Sequence, residues 1–195
     1  MLKNDRFEQA IARIDAANSE DPNTETLDGV VLPKELAYGR RMSTWLDRLY
    51  PEASEALRIA ARSQHIRRWS IARSSYPMDR TGYLRWRTEL KNYHAETTGS
   101  ILVGVGYDEA FIGSVKSLLR KEGLRENAET QALEDVACLV FLENYFADFA
   151  AQHDDDKVVD IVRKTWGKMS ERGHEAALGL DLPEKARELV GRALS

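Results

Sequence analysis

The stretch RSQHIRRWSIARSSYPMDRTGYLRWRTELKNYHAE, Arg62 to Glu96, decides how this chain is read. It carries His65 and His94, Trp69 and Trp86, and seven arginines: Arg62, Arg67, Arg68, Arg73, Arg80, Arg85 and Arg87. A chain of net charge −4 has gathered positive charge and imidazoles in one place. Its apolar and aromatic positions recur at helical spacing on both sides of Tyr76-Pro77, which reads as a loop. The remaining sequence then builds a helical box around this stretch. Glu134-Asp135, at the head of an apolar helix, closes it.

Working outward, Phe7, Ile11 and Ile14 mark a first amphipathic helix over Asp5–Ala17. Asn18–Pro33 reads as a loop with one short candidate strand, Val30–Leu32. Leu36, Trp45, Leu46 and Leu49 mark a second helix, opened after Pro33 and ended by Tyr50-Pro51. A third helix covers Ala53–Arg73 and places His65, Arg68 and Trp69 on one face. A fourth runs from Gly82 to Leu102, with Tyr83, Trp86, Leu90 and His94 near one another. Asp108 is the N-cap of a fifth, which Gly123 stops. Thr130–Ala151 is the longest apolar helix. Its centre, Val136–Leu142, is apolar on every side and therefore central. Asp154–Asp156 interrupt and start another helix, the chain loosens after Gly173-His174, and Pro183 opens a short last one. The expected architecture is all-α: a single-domain helical bundle over residues 1–195. Its core spans about residues 34–170, with the N-terminal helix and C-terminal segment packed on it.

Composition narrows the function classes. Hydrophobic residues at 43% and charged residues at 31% describe a folded globular chain of 195 residues with a sizeable core. The acidic balance argues against general DNA binding, which needs a basic excess. One cysteine, Cys138, permits no internal disulfide and no cysteine-based zinc site. With no apolar run of signal-peptide or membrane-spanning length, the expectation is a cytoplasmic protein with no membrane partner.

A histidine from each of two helices and an aspartate from a third form a workable ligand set: His65, His94 and Asp135. Imidazole and carboxylate suit zinc, manganese, iron, cobalt or nickel. The bland alternative stays open, with the histidines as hydrogen-bonded structural residues and Glu134-Asp135 complementing a helix dipole. A buried Asp135 needs a partner in either case. Arg62, Arg68, Arg87 and Lys121 are candidates for binding an anion, since arginine suits bidentate phosphate or carboxylate binding. Their alternative is a solvated face paired with acidic residues. Cys138 reads as a small buried hydrophobe, and His174 as a residue of a loop over a pocket.

HIRRW from His65, the run His94–Gly123 and QALEDVACLVFLENY from Gln131 resemble, in that order, parts of the HD-domain metal hydrolases. The whole chain also resembles an uncharacterised domain-of-unknown-function family, family 4202. The HD resemblance implies a helical fold of that type and a divalent metal held by His65, His94 and Asp135. Asp135 would be the catalytic member. The metal would lower the pKa of a bound water for attack on phosphorus, while Arg68, Arg87 or Lys121 neutralised the phosphate. The implied substrate is a small anionic, nucleotide-like metabolite. Two positions depart from the pattern: His94 is followed by Ala95 rather than aspartate, and Lys121 stands where many relatives have histidine. Two readings follow. One is a divergent HD-type metal-dependent phosphohydrolase. The other is a non-catalytic helical module that binds an anion or an RNA end and need hold no metal.

Overall fold

The computed structural model describes residues 3–195, which form ten α-helices and one two-stranded hairpin. Helix α1 is Lys3–Asn18, and its Ala10 and Ile14 are fully buried. Strands β1, Thr24–Leu27, and β2, Val30–Pro33, pair antiparallel with Thr24 opposite Pro33. Asp28 and Gly29 join them, both at positive φ (51° and 77°). An Asp-Gly pair is a strong two-residue hairpin signal, and it lay inside the segment read as loop.

Helix α2, Lys34–Leu49, follows β2 directly and turns Leu36, Met42, Trp45 and Leu46 inward. Helix α3 is Glu55–Ser63, capped by Ser54 Oγ, which accepts from Leu57 N–H at 3.1 Å. It ends ten residues before the expected Arg73. Arg67 takes a left-handed conformation (φ 49°), which ends any helix there. A tertiary contact accompanies it: Arg67 N–H donates to Asn18 Oδ1 at 3.0 Å, at the C-terminal end of α1. From Gln64 the chain forms turns and two 3-10 turns, Arg68–Ser70 and Arg73–Ser75. This strap crosses the start of α4, Arg80–Val105. Trp86 Nε1 donates to Ile71 O at 2.9 Å, and a Cβ on Gly82 would lie 2.0 Å from Pro77 O. Only glycine permits that approach.

Asp108 caps α5, Glu109–Arg120, as its sequence suggested. Asn127 caps α6, Ala128–Asn144, which ends at Tyr145 before a separate α7, Phe146–Ala151. Leu133, Val136, Leu139 and Val140 of α6 are fully buried, and α6 touches α2, α3, α5, α7 and α9. Each such side chain contributes about 1.5–3 kcal/mol of apolar burial. Helix α8 is Asp155–Trp166, α9 is Glu171–Leu178 and α10 is Glu184–Leu194. Gly173-His174, expected to begin a looser segment, lies inside α9. His174 stacks on Trp166 (centroids 4.0 Å, interplanar angle 2°) and contacts Trp166 O, so its ring is turned onto α8 from within a helix rather than carried by a loop. Among the described residues no helix is long and apolar enough to cross a membrane.

Candidate functional site

The strap after α3, the start of α2, the inner stripe of α4 and the α5–α6 turn meet around His65. Its ring stacks on Tyr38 of α2 (centroids 3.8 Å, 9°), and Nδ1 lies 3.2 Å from Glu35 Oε2. Glu35 is buried, and its backbone N–H donates to Asp21 Oδ2 at 3.1 Å. Burial pushes the Glu35 carboxyl up to about 7, with Arg68 and Lys34 opposing and Asp21 adding to the shift. The His65 side chain is 24% exposed, so one edge stays open although protein surrounds it. Desolvation, and then the charges of Arg68, Lys121, Arg87 and Lys34, hold it well below the ordinary imidazole value.

His94 lies beside it, ring centroids 6.0 Å apart. Its Nδ1–H donates to Ile66 O at 2.8 Å, which leaves the Nε2 lone pair outward from that bond. That Nε2 is buried and has no hydrogen-bond partner among the described residues. Desolvation and the neighbouring His65 push His94 down to about 3. The sign is definite. The unfolded histidine binds a proton below 6.5 and the folded one does not, so this contribution is present above pH 6.5 and is lost as pH falls toward 3. Glu35 acts oppositely, its contribution being present below pH 4.5 and lost as pH rises through about 7. We expect urea-unfolding free energies measured from pH 7 to pH 3 to fall less steeply in His94→Gln than in the parent. Equal slopes would contradict this account.

The anion candidates separate. Arg68 packs over Trp86 (4.8 Å to the ring centroid) and is charge-coupled to Glu35, with burial lowering its pKa. Arg87 donates to Tyr83 Oη at 3.3 Å and makes no ion pair among the described residues. Lys121 sits at φ 60° in the turn ending α5, an unusual conformation for a residue with a side chain, and pairs with buried Glu134. Burial alone would raise Glu134, but Lys121, Lys168 and Arg87 overcome it and hold the carboxyl below its usual value. Arg62 belongs elsewhere. Its Nε and Nη2 donate to the two oxygens of Asp15, each at 2.6 Å, tying α3 to α1. Its guanidinium is spent on structure rather than on a ligand.

Lys91 escaped the sequence reading. Burial lowers its pKa, followed by the charges of Lys121 and Arg87, and it has no ion pair among the described residues. A signal was present: Arg87, Lys91, His94 and Thr98 follow the i, i+4, i+7, i+11 stripe of one helix face. Thr98 Oγ1, fully buried, also lacks a hydrogen-bond partner among the described residues. Glu35 escaped too, because it reads as an ordinary acidic residue in the first turn of a helix.

Asp135 is fully buried but turned to other partners. Oδ1 accepts from Gln131 Nε2 (3.0 Å) and Ser170 N–H (2.8 Å). Oδ2 accepts from Tyr50 Oη (2.6 Å) and Ser170 Oγ (2.5 Å). It thereby joins the end of α2, α6 and the cap of α9. A Cβ on Gly173 would lie 2.9 Å from its carboxylate, so that wall is closed as well. The expected three-ligand metal sphere therefore does not fit these residues. Four donors occupy the carboxylate, and no group of three or more His, Cys, Asp or Glu among the described residues is placed to hold an ion. The local charge opposes a dication too. Lys34, Arg68, Arg87, Lys91, Lys121 and Lys168 stand against Asp21, Glu35 and Glu134 around this centre.

Two surface clefts lie apart from this centre. One of about 220 Å³ is lined by Phe7, Ile11, Arg58 and Arg62; one of about 730 Å³ runs between the hairpin and α2, past Arg40, Arg41 and Arg48. In the second, Arg41 is already paired with Glu25 and Arg48 lies on Trp45. Neither is lined by His65 or His94.

A family described as "Domain of unknown function (DUF4202)" matches residues 8–190. No curated protein and no solved structure matches the chain.

Proposed function

The chain belongs to the DUF4202 family, and we propose that its His65-centred site binds a small phosphorylated, nucleotide-like molecule without needing a divalent metal. The supporting observation is the excess of cations at one centre, of which Arg87 and Lys91 make no ion pair within 4 Å among the described residues and feel only the field of Glu134, which is already paired with Lys121. Partly buried cations without partners are costly to maintain. A phosphate's oxygens would satisfy them through charge-assisted hydrogen bonds. Lys121 takes the electrostatic role that a metal has in the HD-domain hydrolases, countering a buried acidic group. The resemblance of His65, His94 and the Gln131–Tyr145 segment to those enzymes is the ground for choosing phosphate over other anions. Tyr83, 41% exposed beside Arg87 and Arg73, offers a face on which a base can stack.

Hydrolysis of the bound phosphate is the second reading, favoured by the carboxylate held against His65. The RNA-end alternative uses the same cations and stacking face, and differs in the length of the ligand. The test is titration calorimetry with inorganic pyrophosphate, a set of mononucleotides and a short 5′-phosphorylated RNA, in low and high salt. Binding should weaken with salt. Arg87→Ala and Lys91→Ala should each lower affinity about tenfold or more, because each removes a charged hydrogen-bond donor. Binding of none of these ligands, or binding indifferent to both substitutions, would remove the proposal.

A further inference from the structure

We infer that His65 Nε2 is a phosphoryl acceptor, forming a phosphohistidine with Glu35 as the proton store for the ring's other nitrogen. The inference rests on the phosphate-binding reading above and adds a covalent step to it.

The geometry supplies the parts such a step needs. A histidine acts as a nucleophile only when one ring nitrogen carries the proton and the other presents its lone pair. The Glu35 carboxylate lies 3.2 Å from Nδ1, off the line of a hydrogen bond, and its charge favours the tautomer with the proton on that nitrogen. The Tyr38 ring, parallel at 3.8 Å, fixes the plane of the imidazole. Nε2 is then directed away from Glu35, on a side chain that keeps 24% of its surface open. Arg68, Arg87 and Lys121 are near enough for their charges to act on His65. Arg68 and Arg87 would neutralise the equatorial oxygens of a transferring phosphoryl group, which carry most of the charge in that transition state, while Lys121 stays with Glu134 and adds only its field. His94 does not share this arrangement. Its Nδ1 is held by Ile66 O, but the residue is 4% exposed, and among the described residues no carboxylate pairs with it.

The step balances as follows, with phosphoramidate as the donor. The Nε2 lone pair forms the N–P bond as the donor's P–N bond breaks, and that electron pair leaves on the departing ammonia. The Nδ1 proton passes to Glu35, so the phosphorylated ring ends neutral and the carboxyl protonated. Water then attacks phosphorus, the bond to Nε2 breaks, inorganic phosphate leaves, and the proton returns from Glu35 to Nδ1. A carboxyl that exchanges a proton near neutral pH suits this role, and desolvation holds Glu35 there.

The experiment is incubation of the full chain with phosphoramidate, followed by intact-mass measurement and peptide mapping under alkaline conditions, where phosphohistidine persists. Pyrophosphate binding is measured in parallel. The expected result is one added phosphoryl group on His65, lost on acidification and absent in His65→Asn. Glu35→Gln should slow its formation about a hundredfold, the scale of a positioned proton acceptor. His153→Gln and His174→Gln should label as the parent does. Circular dichroism spectra and pyrophosphate affinity of His65→Asn show whether that variant is folded. Where it is not, mapping the label in the parent decides the matter. A parent that binds pyrophosphate but takes no label, or takes it only on another histidine, overturns the phosphohistidine and leaves the binding reading standing. A parent that neither binds nor labels overturns both.

Discussion

Lys121→Ala is expected to lower the unfolding free energy by about 3–5 kcal/mol, the cost of leaving one member of a buried ion pair without its partner. Glu134 is 6% exposed at its side chain and Lys121 10%, so water rescues neither. Lys168, at 3.8 Å and 41% exposed, is a weaker second partner. For a chain of this size the loss corresponds to a melting temperature lower by roughly 10 °C. The loss should shrink at acid pH. Without Lys121, burial raises the Glu134 carboxyl, and a raised carboxyl contributes stability below its unfolded pKa that disappears as pH rises through the folded one. Two further variants separate the causes. Lys121→Gly also loses the pair but relieves the left-handed backbone at φ 60°, and should be about 1 kcal/mol more stable than the alanine variant. Adding Glu134→Gln to Lys121→Ala should recover part of the loss, because the orphaned charge is gone. Urea unfolding of the four proteins measures all of this. A Lys121→Ala protein as stable as its parent would show that the pair does not hold the α5–α6 turn. Phosphate affinity in the same variants shows separately whether the pair also shapes the anion site.

Asp135→Ala is expected to cost about 3–4 kcal/mol or more, because Tyr50, Gln131 and both donors of Ser170 lose their acceptor in a closed interior. Burial and the hydrogen bond to Asp135 push the Tyr50 phenol up to about 12, so it remains a donor throughout the neutral range. Asp135→Asn should be intermediate, since its carboxamide keeps one acceptor oxygen but turns an NH₂ toward other donors. The damage should be local at first. Amide exchange should accelerate over residues 170–178, where Ser170 caps α9. Denaturant unfolding with hydrogen exchange decides this. An Asp135→Asn protein that is fully stable and protected in α9, but has lost phosphate turnover, would return Asp135 to the catalytic role implied by the HD resemblance.

Much of the secondary structure was legible because its determinants are local. Asp108 and Asp154 cap helices through side-chain bonds three residues away, and Pro33 and Pro183 each stand immediately before one. The apolar run Val136–Leu142 is mostly buried because no face of it is polar. His65 and His94 do lie near each other. The helix expected through His65 stops at Ser63, and the segment after it is tied instead to distant partners: Arg67 N–H to Asn18, Ile66 O to His94 and Ile71 O to Trp86.

What the sequence by itself determined is therefore the helical class, the positions of several caps, the central helix and the concentration of cations and imidazoles in one stretch. Tertiary structure decided which of those charges remain available. Arg62 meets Asp15 across 47 residues and Asp135 meets Tyr50 across 85, and both are consumed by those contacts. Glu35 meets His65, and Lys121 meets Glu134, in the same way. Periodicity and capping act within a turn or two of chain, so they appear in the order of residues. An ion pair between distant segments depends on how helices pack, and a carboxylate looks the same in sequence whether it faces water, an arginine or a histidine.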